Sequence, residues 1–271
     1  MDLGLKDKVV CVTGGSRGIG LATARAFAGE GAKVMICARR EGPLQEAVES
    51  IGRDCAGSVE GFAADVISVP DIERLVAHVE ATHGRLDVLV NNAGTGIYKS
   101  FLEVTEEELQ QAMAVNFFAQ FRLTQRAVPL LRRGQGANVV NVSGRTALRG
   151  NFPPGSSASG PAKAAEVRFS IDLASELASE GIRVNCVIPG VVKSEDRLRL
   201  WEEQAGGGTA RGRLEKEAVP GERGWGTPEE VADVIVFLAS GRASYVNGAS
   251  LVIDGGPHTK SYVTQLHAKT A

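Results

Sequence analysis

Thr13-Gly14-Gly15-Ser16-Arg17-Gly18-Ile19-Gly20 separates a β-branched run, Lys8 to Thr13, from an alanine-rich run, Gly18 to Gly29, that repeats with helical period. Glycines between a strand and a helix suit a dinucleotide. Gly14 permits the tight turn, Gly18 lets backbone approach a pyrophosphate, and Gly20 lets helix and strand pack closely. Phosphate then rests on the helix N-terminus, where orphan N–H groups and the dipole favour an anion. The spacing is G-x-x-x-G-x-G rather than G-x-G-x-x-G, so context carries the inference: the loop lies in a βαβ unit whose second strand ends at Cys37-Ala38-Arg39-Arg40. A glycine turn without a ligand is the alternative.

The same alternation continues outward. Further strand-like runs are Lys33 to Ala38, Val59 to Ala64, Leu86 to Asn91, Ala137 to Ser143, Ile182 to Ile188 and Ser250 to Ile253. Helical patterns fall at Pro43 to Arg53, Val69 to His83, Thr105 to Leu131, Ala162 to Glu180 and Pro228 to Leu238. Thr105 with Glu108 forms a capping-box pattern, and Thr227-Pro228 puts proline at a first helical position. Strands alternating with helices imply right-handed crossovers and a parallel sheet covered on both faces. The expected fold is a single α/β domain, a Rossmann-type doubly wound sheet of seven parallel strands over residues 1–256.

Two segments break the alternation. Lys193 to Trp225 is charged and carries Gly206-Gly207-Gly208 between two helical patterns, Glu195 to Gln204 and Thr209 to Ala218, which reads as a lid-like insertion or a surface loop. The tail, Pro257 to Ala271, is polar, and is either frayed or docked across the site.

A chain of 271 residues with 43% hydrophobic content can bury a substantial core. Its formal net charge of -2 offers no basic excess for nucleic acid or an anionic membrane. Cys11, Cys37, Cys55 and Cys186 lack metal-ligand spacing, so no metal is expected, and reduced thiols fit a cytoplasmic protein. No run is long enough to span a membrane and no signal peptide is evident.

Cofactor choice follows from the second strand. An acidic residue at its end would bond a ribose 2′-hydroxyl; this chain has Arg39 and Arg40 there, and Arg17 in the glycine loop. Guanidinium forks match a 2′-phosphate, which favours NADP(H) over NAD(H). Arg40 as a solvated surface charge is the alternative reading.

From Lys8 to Gly256 the chain resembles the short-chain dehydrogenase/reductase family. Asp65-Val66 resembles the pair that holds the adenine, and Asn91-Asn92-Ala93-Gly94 matches the signature after the fourth strand. Asn116, in Val115-Asn116-Phe117, matches the family's catalytic asparagine. Pro189-Gly190-Val191-Val192-Lys193-Ser194 resembles the nicotinamide-side motif, and Asp254-Gly255-Gly256 closes the last strand as relatives do. The resemblance assigns cofactor contacts to Gly14, Ser16, Arg17, Gly18, Ile19, Gly20, Asp65, Val66, Asn92, Ala93, Gly94, Lys163, Pro189, Gly190 and Val192.

The catalytic centre departs from the family. A tyrosine stands four residues before the lysine in relatives; here Lys163 is preceded at that distance by Ser159. The companion serine is displaced too, because Asn141-Val142-Ser143-Gly144 puts glycine in its place and leaves Ser143 as the nearest hydroxyl. A serine hydroxyl titrates far above any useful range for a general acid. Tyr98, in a loop that borders the substrate site in relatives, is the best surrogate, ahead of Tyr262 and His258. Tyr245 reads as packing before the last strand. Ser159 and Lys163 also have the i, i+4 spacing of a nucleophile pair, or Ser159 merely starts a helix. Arg145 either holds an anionic substrate group or is solvated.

Three functions stay open. The first is an NADP(H)-dependent oxidoreductase on a carbonyl or hydroxyl of a small, fairly apolar molecule, with Asn116 supporting Lys163 and with Ser143 or Ser159 bonding the substrate oxygen. The second is a non-redox enzyme on the same scaffold (lyase, dehydratase, isomerase or cyclase), and the third a catalytically silent binding protein. By resemblance, pairing through the helices that carry Asn116 and Lys163 makes a homodimer or homotetramer.

Overall fold

Val9–Thr13 buries all five of its side chains, and a strand this apolar on both faces belongs inside a sheet covered on both sides. The computed structural model, described over residues 2–150, 155–194 and 225–256, places it there. Strands β1 (Val9–Thr13), β2 (Lys33–Ala38), β3 (Ser58–Ala63), β4 (Val88–Asn91), β5 (Asn138–Val142), β6 (Arg183–Pro189) and β7 (Ser250–Ile253) form one parallel sheet in the order β3-β2-β1-β4-β5-β6-β7. Each strand-like run in the sequence is a strand, with ends moved by a residue or two.

Alternation along the strands sorts two cores. Val10, Val12, Ile36 and Val90 face helices α1 (Gly18–Gly29), α2 (Glu41–Asp54) and α7 (Pro228–Ala239). Cys11, Met35, Leu89 and Val139 face α3 (Val69–His83), α5 (Ala119–Leu131) and α6 (Ser159–Glu176). Each fully buried Val, Leu or Ile contributes roughly 1.5–3 kcal/mol of transfer free energy. The caps agree with the sequence: Thr105 and Thr227 each close a capping box, the latter with proline in the first turn.

Three expectations need correction. The helix expected over Thr105 to Leu131 is divided: α4 (Glu106–Met113) passes into a π turn, Ala114–Phe118, before α5. The π turn inserts an extra residue into the hydrogen-bond frame, a feature frequent at functional sites, and it carries Asn116. Tyr245 does not pack before β7; its side chain is fully exposed. Arg145 is not solvated but buried.

Cys11, Cys37 and Cys186 are buried strand residues, and the four thiols are unpaired. Burial pushes the Cys37 and Cys186 thiols up to about 12, which leaves them protonated and inert. Among the described residues no helix is long and apolar enough to cross a membrane, and no group of side chains is set to hold a metal. The lid expectation and the tail, with His258 and Tyr262, lie outside the described residues. The stems of the insertion meet: Val192 bridges Gly226, and the Lys193 N–H donates to the Gly226 carbonyl at 2.8 Å.

Candidate active site

β1 lies between β2 and β4, and the chain leaves β1 in one direction along the sheet and returns on its other side. Such a switch point opens a crevice beyond the carboxyl ends of the strands. Here it is a cleft of about 1110 Å³. Thr13 closes its floor, with Oγ1 accepting from the N–H groups of Asn92 (2.9 Å) and Ala93 (3.0 Å). Asn92 Nδ2 in turn donates to the carbonyls of Thr13 (2.9 Å) and Gly14 (3.3 Å).

The glycine loop enters this cleft with Gly14 and Gly18 at positive φ, 66° and 51°. A Cβ on Gly20 would run into the Gly14 carbonyl, so a glycine is required where helix and strand meet. The N-terminus of α1 has no side-chain cap and no acidic residue in its first turn, so its N–H groups are available to a phosphate. Ser16, Arg17, Arg39, Arg40, Asp65 and Val66 line one part of the cleft, and Asn92, Ala93 and Gly94 another. These residues fit a dinucleotide laid across the switch point. Ile19 packs on the core, and Gly20 lies behind the loop. Pro189 ends β6, Gly190 packs against Asp254, and Val192 is buried; Ser194, beyond them, faces Gly18 across the cleft.

The candidate catalytic residues gather around the loop from Gly94 to Tyr98. Asn116 Oδ1 accepts from the Thr95 N–H (3.0 Å) while its Nδ2 donates to the carbonyls of Thr95 (3.1 Å) and Ala112 (2.8 Å). Asn116 Oδ1 and Lys163 Nζ converge on Gly94, where an added Cβ would stand 2.9 and 3.0 Å from them. Ser159 opens α6 and turns its hydroxyl to the loop, accepting from the Ile97 N–H (2.6 Å) and donating to the Ile97 carbonyl (3.0 Å). Ser143 Oγ donates to the Lys163 carbonyl (2.8 Å), and the Tyr98 ring folds against Gly96 of its own loop. Arg145 follows β5 beneath this group. Burial pulls its guanidinium down to about 10, against the pull of Asp254.

The sequence profile described as "Enoyl-(Acyl carrier protein) reductase" matches residues 14–258. The rabbit (Oryctolagus cuniculus) dehydrogenase/reductase SDR family member 4 is 36% identical over 256 residues, covering 93% of this chain and 94% of that one. The chain belongs to the short-chain dehydrogenase/reductase family. Its relatives include the 3-oxoacyl-[acyl-carrier-protein] reductase FabG of Thermotoga maritima, 35% identical over 93% of this chain and 98% of its own. L-Sorbose reductase from Gluconobacter frateurii, solved with NADPH and L-sorbose, superposes with a TM-score of 0.89 at 34% identity, covering 96% of this chain and 99% of that one.

In this short-chain dehydrogenase/reductase the sequence reading passed over two site residues. Glu166 is wholly buried on α6, with Oε1 3.0 Å from Lys163 Nζ and 3.1 Å from Gln120 Nε2. Behind it, Ser170 Oγ donates to the Glu166 carbonyl and accepts from Asn141 Nδ2, whose Oδ1 accepts from Asn91. The available signal was spacing: Gln120 is in helical register with the buried Leu123 and Ala127, and Glu166 with the buried Ala162 and Ala174.

Proposed function

We propose that the chain binds NADP(H) and works as an oxidoreductase on a carbonyl or hydroxyl of a small, fairly apolar molecule, with a proton donor other than a residue at position 159. The carrying observation is the cleft itself. Arg17, Arg39 and Arg40 stand along it at the end of β2 and in the glycine loop, where guanidinium groups suit a 2′-phosphate. The NADPH seen with L-sorbose reductase supports the same choice. When bound, the nicotinamide supplies the hydride; Lys163 and Gly94 set the wall it meets, and Asn116 holds that wall through Thr95. A fluorescence titration with NADPH beside NADH tests the reading. Tight NADPH and weak NADH binding is expected, and no binding of either would sink it.

One observation favours a second reading, a non-redox enzyme or a silent binding protein on this scaffold. The Ser159 hydroxyl is bonded on both sides to Ile97, which leaves it no hydrogen for a substrate. Nicotinamide absorbance during turnover separates the two. Buried free thiols and the lack of a spanning helix among the described residues fit a cytoplasmic setting. A homodimer or homotetramer through α5 and α6 is supported by Phe118, Phe121 and Ile171, large apolar side chains exposed on that side, and light scattering checks it.

A further inference from the structure

A carboxyl with no exposed surface stands one salt-bridge length behind the site lysine. Glu166 Oε1 accepts from Lys163 Nζ and Gln120 Nε2; Oε2 has no hydrogen-bond partner among the described residues. A buried carboxylate with a bare oxygen is costly, whereas a carboxylic acid turns that oxygen into a donor. Ser143 lies beside Glu166, with its hydroxyl bonded to the Lys163 carbonyl at 2.8 Å.

The packing around Glu166 is mostly neutral. Gln120 faces it from α5, Ser143 from the end of β5, Cys186 from β6, and Lys163 and Ser170 from α6 itself. Lys163 and Cys186 are the titratable groups among these. Burial raises the Glu166 carboxyl to about 7 against the pull of Lys163, and Cys186 stays a thiol.

Three donors near Gly94 are engaged: Ser143 with Lys163, Ser159 with Ile97, and Asn116 with Thr95 and Ala112. Lys163, its side chain 12% exposed, is the cationic acid closest to the cleft, its Nζ packed against the wall residue Gly94. We propose that Glu166 is the proton store behind Lys163, its carboxylic acid reprotonating the lysine as the ammonium gives a proton to the substrate oxygen. This rests on the carbonyl-reduction reading above. The carbonyl carbon gains a hydride from the reduced nicotinamide and the C=O pair moves to oxygen. That oxygen bonds a proton as an N–H bond at Lys163 Nζ breaks; Nζ then takes the Glu166 proton across the 3.0 Å contact with Oε1, and after product leaves, solvent protonates the partly exposed Nζ, which passes a proton back to the carboxylate. Glu166 acts through Lys163 and is a positioning residue.

Infrared spectroscopy of the full chain, with and without NADPH, reads the store directly. A protonated-carboxyl band that fades near pH 7 in the wild type and is missing in Glu166→Gln is expected; no such band at pH 6 overturns the proposal, whatever the activity. In kinetics, Glu166→Gln should bind NADPH within about twofold of wild type, lose roughly 10- to 100-fold in kcat with little change in KM, and lose the fall in rate above pH 7. Glu166→Asp, which keeps the acid, should keep that fall. A Glu166→Gln enzyme with wild-type kcat and an unchanged pH profile overturns it. Loss of NADPH binding by the wild type would instead strike the proposed function, and the band tells the two failures apart.

Discussion

Ser159 holds the Ile97 peptide by both of its polar groups, taking the N–H at 2.6 Å and giving a hydrogen to the carbonyl at 3.0 Å. Lys99 is tied nearby, its N–H donating to the Gly155 carbonyl at 2.9 Å. The loop that borders Lys163 is therefore pinned by the residue that opens α6. Ser159→Ala removes the side-chain partner of both Ile97 groups in a partly buried setting and should destabilise the fold by about 1 kcal/mol in denaturant unfolding, with NADPH affinity nearly unchanged. A loss of turnover with no loss of stability would return Ser159 to the catalytic group.

The arginines make a separate prediction. Arg39→Ala and Arg40→Ala should each weaken NADPH binding by roughly 10-fold, the scale of about 1.5 kcal/mol for a charge-assisted hydrogen bond, and leave NADH binding unaffected. Isothermal titration at fixed ionic strength reads the difference. Equal losses for both nucleotides would mean that the side chains do not meet a 2′-phosphate.

Glu166 couples the site to stability. Its folded carboxyl sits near 7 against an ordinary 4.5, so the native state holds an extra proton between those values. The favourable contribution is complete below pH 4.5 and is lost as pH rises through 7. Across that window the wild type should lose up to about 3 kcal/mol relative to Glu166→Gln, which has no proton to release. Parallel stability profiles for the two proteins in urea would show that Glu166 is charged throughout.

Two glycine replacements should separate scaffold from site. Gly20→Ala drives a methyl into backbone, the Gly14 carbonyl, and should cost about 1–3 kcal/mol together with nucleotide binding. Gly94→Ala meets the ends of Lys163 and Asn116 at 3.0 and 2.9 Å, so it should barely move Tm yet lower kcat by about 10-fold as Nζ shifts. Thermal melts beside steady-state rates distinguish them.

The sheet was legible because its strands are short β-branched runs, and the glycine loop because backbone must approach a phosphate there. Helix α3 and its proline-led start could be read residue by residue, since the pattern, the Ser68 cap and Gly84 all mark the same ends. The π turn could not: Thr105 to Leu131 keeps its apolar stripe, and the extra residue shows only in hydrogen bonds. Glu166 escaped for a similar reason. Periodicity puts it on the Lys163 face of α6, three residues on, but does not say that the pair will be buried or that Gln120 of α5 will meet it there. Tyr245 misled because an aromatic before a strand suggests core, while a turn leaves it exposed.

Thr13 gives the glycine loop its shape through partners 79 and 80 residues further along the chain. The loop's fixed shape is therefore a long-range property: a chain whose glycine loop is set has already laid β4 against β1 and so joined the two halves of its sheet.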